Sequence, residues 1–79
     1  MLNLKEILLD IARAIVDHPE DVVVVEQENQ DEITLVLSVH ADDMGMVIGR
    51  HGRIAKAIRS VMKAAAGTCG KKVNVEIKD

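Results

Sequence analysis

The residues best suited to chemistry lie in one stretch, "VIGRHGRIAKAIR", from Val47 to Arg59. Two glycines stand three apart, Gly49 and Gly52, with Arg50 and His51 between them. Arg53, Lys56, Arg59 and Lys63 follow at helical spacing. Glycines at a helix entry let a phosphate approach the backbone, and a helix start presents free N–H groups with a partial positive charge. These residue types in this order bind an anionic chain; they do not make or break bonds. Two glycines three apart also suit a tight helix–turn–helix connection, so the loop alone is a weak motif.

Bond-making chemistry finds little elsewhere. His18, His40, His51 and Cys69 have no metal-ligand spacing, so no metal or other cofactor is expected. The adjacent acids Asp42 and Asp43 read as a helix N-cap, where carboxylates are favoured. There is no nucleophile, base and orienting group in a recognisable set, and no Gly-Lys-Ser/Thr of a Walker loop. An enzyme is therefore not expected.

The charge supports an anionic partner once it is divided along the chain. The net charge is −3. Residues 1–43 hold 2 basic and 11 acidic side chains, a net of −9, whereas residues 44–79 hold 8 basic and 2 acidic, a net of +6. Binding responds to local potential within a Debye length of about 8–10 Å, so the distribution outweighs the total. On the helix after Gly52, Arg53, Lys56, Arg59, Ser60 and Lys63 fall within roughly 120° of arc at 100° per residue. No acid interrupts them, whereas an ordinary solvated face mixes both signs in stabilising i,i+4 pairs.

The elements that must position this stretch follow from periodicity. Leu4, Ile7, Leu8, Ile11 and Ile15 predict an amphipathic helix, capped by Asn3 with Glu6 three residues on, and ended by Pro19 at about His18. "DVVVVEQE" is a β-branched strand and "NQD" (29–31) a turn. "EITLVLSVH" alternates Ile33, Leu35, Leu37 and Val39 against polar positions, and so short a turn makes the two strands antiparallel. Asp42 is expected to cap a short helix ending at Gly49; a longer one runs from near His51 to about Ala66, broken by "GTCG". Val73, Val75 and Ile77 give a third strand. The fold class is thus α+β, in the order α-β-β-α-α-β. A three-stranded sheet carries three helices on one face, in a single domain over 1–79.

Phe, Tyr and Trp are absent, so the core must be aliphatic, and a chain this short buries only about 60% of its unfolded surface. Self-association is expected to add stability. With one cysteine, Cys69, no intramolecular disulfide can form; it reads as a small turn residue. No apolar run reaches membrane-spanning length, and the first seventeen residues lack a signal-peptide pattern, so a cytoplasmic location is expected.

"VIGRHGRIAKAI" resembles the K-homology (KH) module, whose glycine loop clamps the backbone of four nucleotides. The element order resembles the bacterial type II form of that fold. One departure is Ala55, three residues after Gly52, where many KH modules carry a bulky aliphatic; this leaves base preference open. The chain as a whole is similar to the small single-domain bacterial KH proteins of the KhpA family. That resemblance implies a cytoplasmic, chaperone-like regulator that binds single-stranded RNA, or ssDNA, with links to cell elongation and peptidoglycan homeostasis. It implies homodimers, or heterodimers with a larger KH-containing protein of the KhpB (Jag) type. It places nucleic acid on Ile48, Gly49, Arg50, His51, Gly52, Arg53, Ile54 and Lys56, with phosphates at the backbone N–H groups of Arg50, His51 and Gly52. Bases would lie in an apolar groove suggested by Ile48, Ile54 and the strand "EITLVLSVH". RRM and OB-type binders stack bases on aromatic rings, which this chain does not have. The alternative is a KH-fold dimerisation module with no RNA binding of its own, suggested by the wide apolar arc and by Ala57, Ala64, Ala65 and Ala66.

Overall fold

The structure, a computed structural model, describes residues 3–67 and 70–79. Cys69 and the reading of it as a turn residue lie outside the described residues. Helix α1 spans Leu4–Ile15, and Asn3 Oδ1 accepts from the Glu6 N–H at 3.2 Å, as its sequence predicts. Leu4, Leu8, Leu9 and Ala12 are buried. Ile7 and Ile11 pack at the margin of the core, so the buried line is rotated slightly from the predicted stripe. The helix also ends before His18. Val16 turns extended and enters the core, and Pro19 opens a single 3-10 turn, Pro19–Asp21, instead of halting the helix.

Strands β1 (Val23–Glu28) and β2 (Glu32–Ser38) form the expected antiparallel hairpin. Asn29 closes it: its Oδ1 accepts from the N–H groups of Asp31 at 2.9 Å and Glu32 at 2.8 Å. Strand β3 (Lys72–Lys78) lies parallel to β2 on the other side, giving the order β1-β2-β3. A parallel neighbour cannot be reached by a hairpin, so the chain must cross over one face of the sheet. Helices α2 (Met44–Ile48) and α3 (Arg53–Ala65) make that crossover, with the glycine loop between them.

The alternation of β2 is as predicted: Ile33, Leu35 and Leu37 face the helices and are buried, and Val39, just past the strand's end, is buried as well. With Leu8, Val47 and Met62, which are also fully enclosed, Leu35 and Leu37 form the centre of an aliphatic core. The opposite sheet face is open, exposing Val23, Val25, Glu76 and Lys78. Among the described residues no helix is long and apolar enough to cross a membrane, and no group of three or more His, Cys, Asp or Glu is placed to hold a metal ion.

Candidate nucleic-acid interface

The loop between α2 and α3 takes its shape from three consecutive constraints. Gly49 ends α2 at φ 75°, ψ 173°, a region essentially reserved for glycine. A Cβ there would stand 2.3 Å from Ile54 Cγ1 and 2.9 Å from Ile54 N, so Ile54 packs directly onto this glycine. His51 sits at φ 58°, ψ 24°, left-handed and strained for a residue with a side chain. Gly52 follows at φ 74°, ψ 16°, with open space where a Cβ would be. Glycine at 52 therefore serves conformation alone, and glycine at 49 serves both conformation and room. These positive φ values also set the helix boundary: Arg50–Gly52 forms a 3-10 turn, and α3 begins at Arg53, not near His51. The Gly52 N–H donates to Gly49 O at 3.2 Å, closing the turn, so it is already engaged within the loop.

Beyond the loop, α3 has three faces. Ala55, Ile58 and Met62 are buried in the fold. Arg53, Lys56, Arg59 and Lys63 are exposed along a second line. Ile54, Ala57, Val61 and Ala64 form a third, apolar and also exposed; Val61 has 49% of its surface free. The apolar arc read from sequence thus divides into a core side and an uncovered side. The structure brings Ile48, Gly49, Arg50, His51, Gly52, Arg53, Ile54 and Lys56 into one contiguous patch, with Gly49 and Gly52 half-buried and the other six exposed. The strand "EITLVLSVH" does not join it. That strand is β2, the middle of the sheet, and its apolar side is core. The strand beside the cationic line of α3 is β3: Arg59 Nε donates to Val75 O at 3.2 Å.

Two acids read together from sequence separate here. Asp42 does not cap a helix. Its own N–H donates to His40 Nδ1 at 3.0 Å, and His40 caps a 3-10 turn over Ala41–Asp43. Asp43 precedes α2 but makes no side-chain cap; it is 1% exposed. Its Oδ2 accepts from the His18 N–H and faces His18 Nδ1, both at 3.0 Å. The His18 ring stacks on His40 with centroids 4.1 Å apart. Asp43 thereby ties the start of the loop-bearing crossover to the segment between α1 and β1. The hydrogen bond to Asp43 raises the His18 pKa against the opposing effect of burial, helped by the charges of Asp43, Glu20 and Asp21. Burial pushes Asp43 up, but the His18 ring bond, the His18 N–H, the His18 charge and the Asp17 backbone together hold it below the usual carboxylate range. Sequence reasoning missed this pair because its members lie 25 residues apart.

An α-β-β-α-α-β chain with a mixed three-stranded sheet, and a Gly-x-x-Gly loop joining the crossover helices, has the architecture of a KH domain of type II. A family model described as "KhpA/KhpB, KH domain" matches residues 5–77. The chain is 55% identical over 74 residues to the RNA-binding protein KhpA of Clostridium perfringens, covering 94% of this chain and 99% of that one. It is 47% identical to its namesake in Listeria monocytogenes (94% and 97% covered) and 46% identical to that of Bacillus subtilis (98% and 95%). The chain belongs to the KhpA/KhpB family of KH domains. Solved structures share the fold at lower identity. A point variant of Aquifex aeolicus Era bound to GDP.AlF4- superposes with a TM-score of 0.70 at 19% identity, over 95% of this chain and 30% of that one. Era in complex with MgGDPNP and nucleotides 1506–1542 of 16S ribosomal RNA gives 0.62 at 17%, over 95% and 29%.

Proposed function

We propose that this chain is a non-enzymatic, single-domain KH protein that binds single-stranded RNA across the Gly49–Gly52 loop and along α3. The observation that carries this reading is the exposed line Arg53, Lys56, Arg59 and Lys63, continuous with the loop and free of acids, on a chain of net charge −3. The loop backbone and Arg50, His51 and Arg53 meet phosphates, and Lys56 extends the track. Ile48 and Ile54, exposed on either side of the loop, contact sugars or bases. Without aromatic platforms the affinity of one domain is modest. The relatives' name, RNA-binding protein KhpA, supports the same reading. The roles of RNA chaperone and post-transcriptional regulator, with links to cell elongation and peptidoglycan homeostasis, rest on the family resemblance. With about three to four phosphates engaged, log K for a single-stranded RNA should fall against log salt with a slope of roughly −2 to −3. Binding that is indifferent to salt would refute the electrostatic clamp.

A second, compatible reading is favoured by the uncovered apolar line Ile54, Ala57, Val61 and Ala64. Its small residues permit close helix packing, and a second α3 of the same chain, or that of a KhpB-type partner, would cover it. Sedimentation at micromolar concentration should show a species of twice the 8.6 kDa chain mass. Val61→Asp should return it to monomer and weaken RNA binding about tenfold or more through lost avidity. A wild-type monomer would remove this reading and leave the RNA site standing.

A further inference from the structure

We infer that Arg59 is a base-reading residue that selects guanine in single-stranded RNA; the inference rests on the RNA-binding reading above. The Lys72 N–H bonds to Asp31 O, and Lys78 O accepts from the Val39 N–H, so both turn their backbone groups toward β2. Backbone groups alternate sides along a strand, so those of Val73, Val75 and Ile77 point to the free edge of β3. Arg59 Nε is bonded to one of them, Val75 O, at 3.2 Å. Arg59 lies two turns into α3, roughly 9 Å along its axis from Arg53, between Lys56 and Lys63. Further along the same helix and strand, where the end of α3 meets the start of β3, a cavity is flanked by Lys63, Ala66, Lys72 and Val73.

Among the described residues Arg59 is the one cation of this line tethered to the protein. The tether uses one of five N–H donors and leaves the four on the terminal nitrogens without a protein acceptor among the described residues. A guanidinium held at Nε has lost most of its rotamer freedom, so its fork is preorganised. Lys56 and Lys63 are flexible point charges suited to phosphates; a fixed pair of parallel donors suits a base edge carrying two adjacent acceptors. Guanine presents them at O6 and N7, the commonest partner of arginine among bases. Adenine places an amino donor beside its N7 and would meet the fork with like polarity.

The test compares octauridine with the same oligomer carrying one central guanine, adenine, cytosine or 7-deazaguanine, using the full chain at one salt concentration. Wild type should bind the guanine oligomer about tenfold tighter than the others, and 7-deazaguanine, lacking the N7 acceptor, should lose most of that gain. Arg59→Lys keeps the charge and should keep the salt slope, while the guanine preference falls below about twofold. Lys56→Gln should weaken every oligomer alike, with a slope shallower by about 0.7, and retain the preference. A wild type that binds without favouring guanine, favours cytosine, or treats 7-deazaguanine as guanine overturns the inference, as does a preference that survives Arg59→Lys. If Arg59→Lys fails to fold, the 7-deazaguanine comparison on wild type decides. Absence of all binding at low salt is a different result: it sinks the RNA-binding reading and takes this inference with it.

Discussion

Replacing Arg50 and His51 together by Asp should nearly abolish RNA binding while the protein stays folded. Two charges about 4 Å apart interact by about 1 kcal/mol even in bulk water. Turning one attraction into repulsion and adding a second repulsion costs roughly 3 kcal/mol, about a hundredfold in affinity. Both side chains are exposed, so stability should change by only about 0.5 kcal/mol. Asp is also among the residues that tolerate the left-handed backbone held by His51. Lys78→Asp is the control. Lys78 lies on the open face of the sheet, away from the helices, and the substitution lowers the net charge by two, against three for the loop pair with His51 neutral. Circular dichroism first establishes that both variants are folded. Equal losses would mean diffuse charge attraction with no localised clamp. Undiminished binding in the loop variant would show that RNA does not bind at the Gly49–Gly52 loop.

Asp43→Ala should be the most damaging single substitution outside the aliphatic core. It leaves the His18 N–H and ring without their acceptor and frees the crossover from the α1–β1 connection. A drop in the thermal midpoint on the order of 10 °C is expected, because removing one partner of a buried pair strands the other. The pair also dictates a pH profile. The His18 pKa is raised on folding, so its contribution is complete below the ordinary value of 6.5 and is lost as pH climbs through the raised one. The Asp43 pKa is lowered, so its contribution is complete above 3.8 and is lost as pH falls through the lower folded value. Wild-type stability from the pair is therefore greatest between these ordinary values and declines on the alkaline side. In Asp43→Asn, which keeps an acceptor for the His18 N–H but not the charge, the alkaline decline should flatten. Thermal melts from pH 5 to 9 on both proteins measure it; parallel profiles would show that the pair does not govern the dependence.

The features legible in the sequence were those carried by local periodicity. Alternation gave β2 its buried face, the 3.6-residue repeat gave α1 and α3, and the glycines marked the loop. The eight proposed site residues are adjacent in space largely because they are adjacent in the chain. What escaped was set by long-range partners. Asp43 looks like a helix cap until His18, 25 residues earlier, is seen to occupy its carboxylate. Arg59 looks like one more cation until Val75 O, 16 residues later, is seen to hold it. Alternation reports that one face of β2 is apolar, not that β2 is the central strand and β3 the edge. Strand order is a property of the crossover, and no local pattern encodes it.

That crossover also governs the order of events in folding. Every residue pair across β2 and β3 is 40 positions apart, from Glu32 with Lys72 to Ser38 with Lys78, whereas the hairpin closes between Glu28 and Ile33. Hairpins form in about 1–10 μs, and nonlocal pairing is slowed by the entropy of closing the intervening chain. The β1–β2 hairpin and α3 can thus appear early, while Val73 and Val75 dock last. Only that last step supplies the strand edge against which Arg59 is held. The loop and its cations can therefore form before that edge does, and under the proposed RNA-binding reading an incompletely folded chain would hold RNA by charge alone, before it has the strand edge against which the inferred base reading would occur.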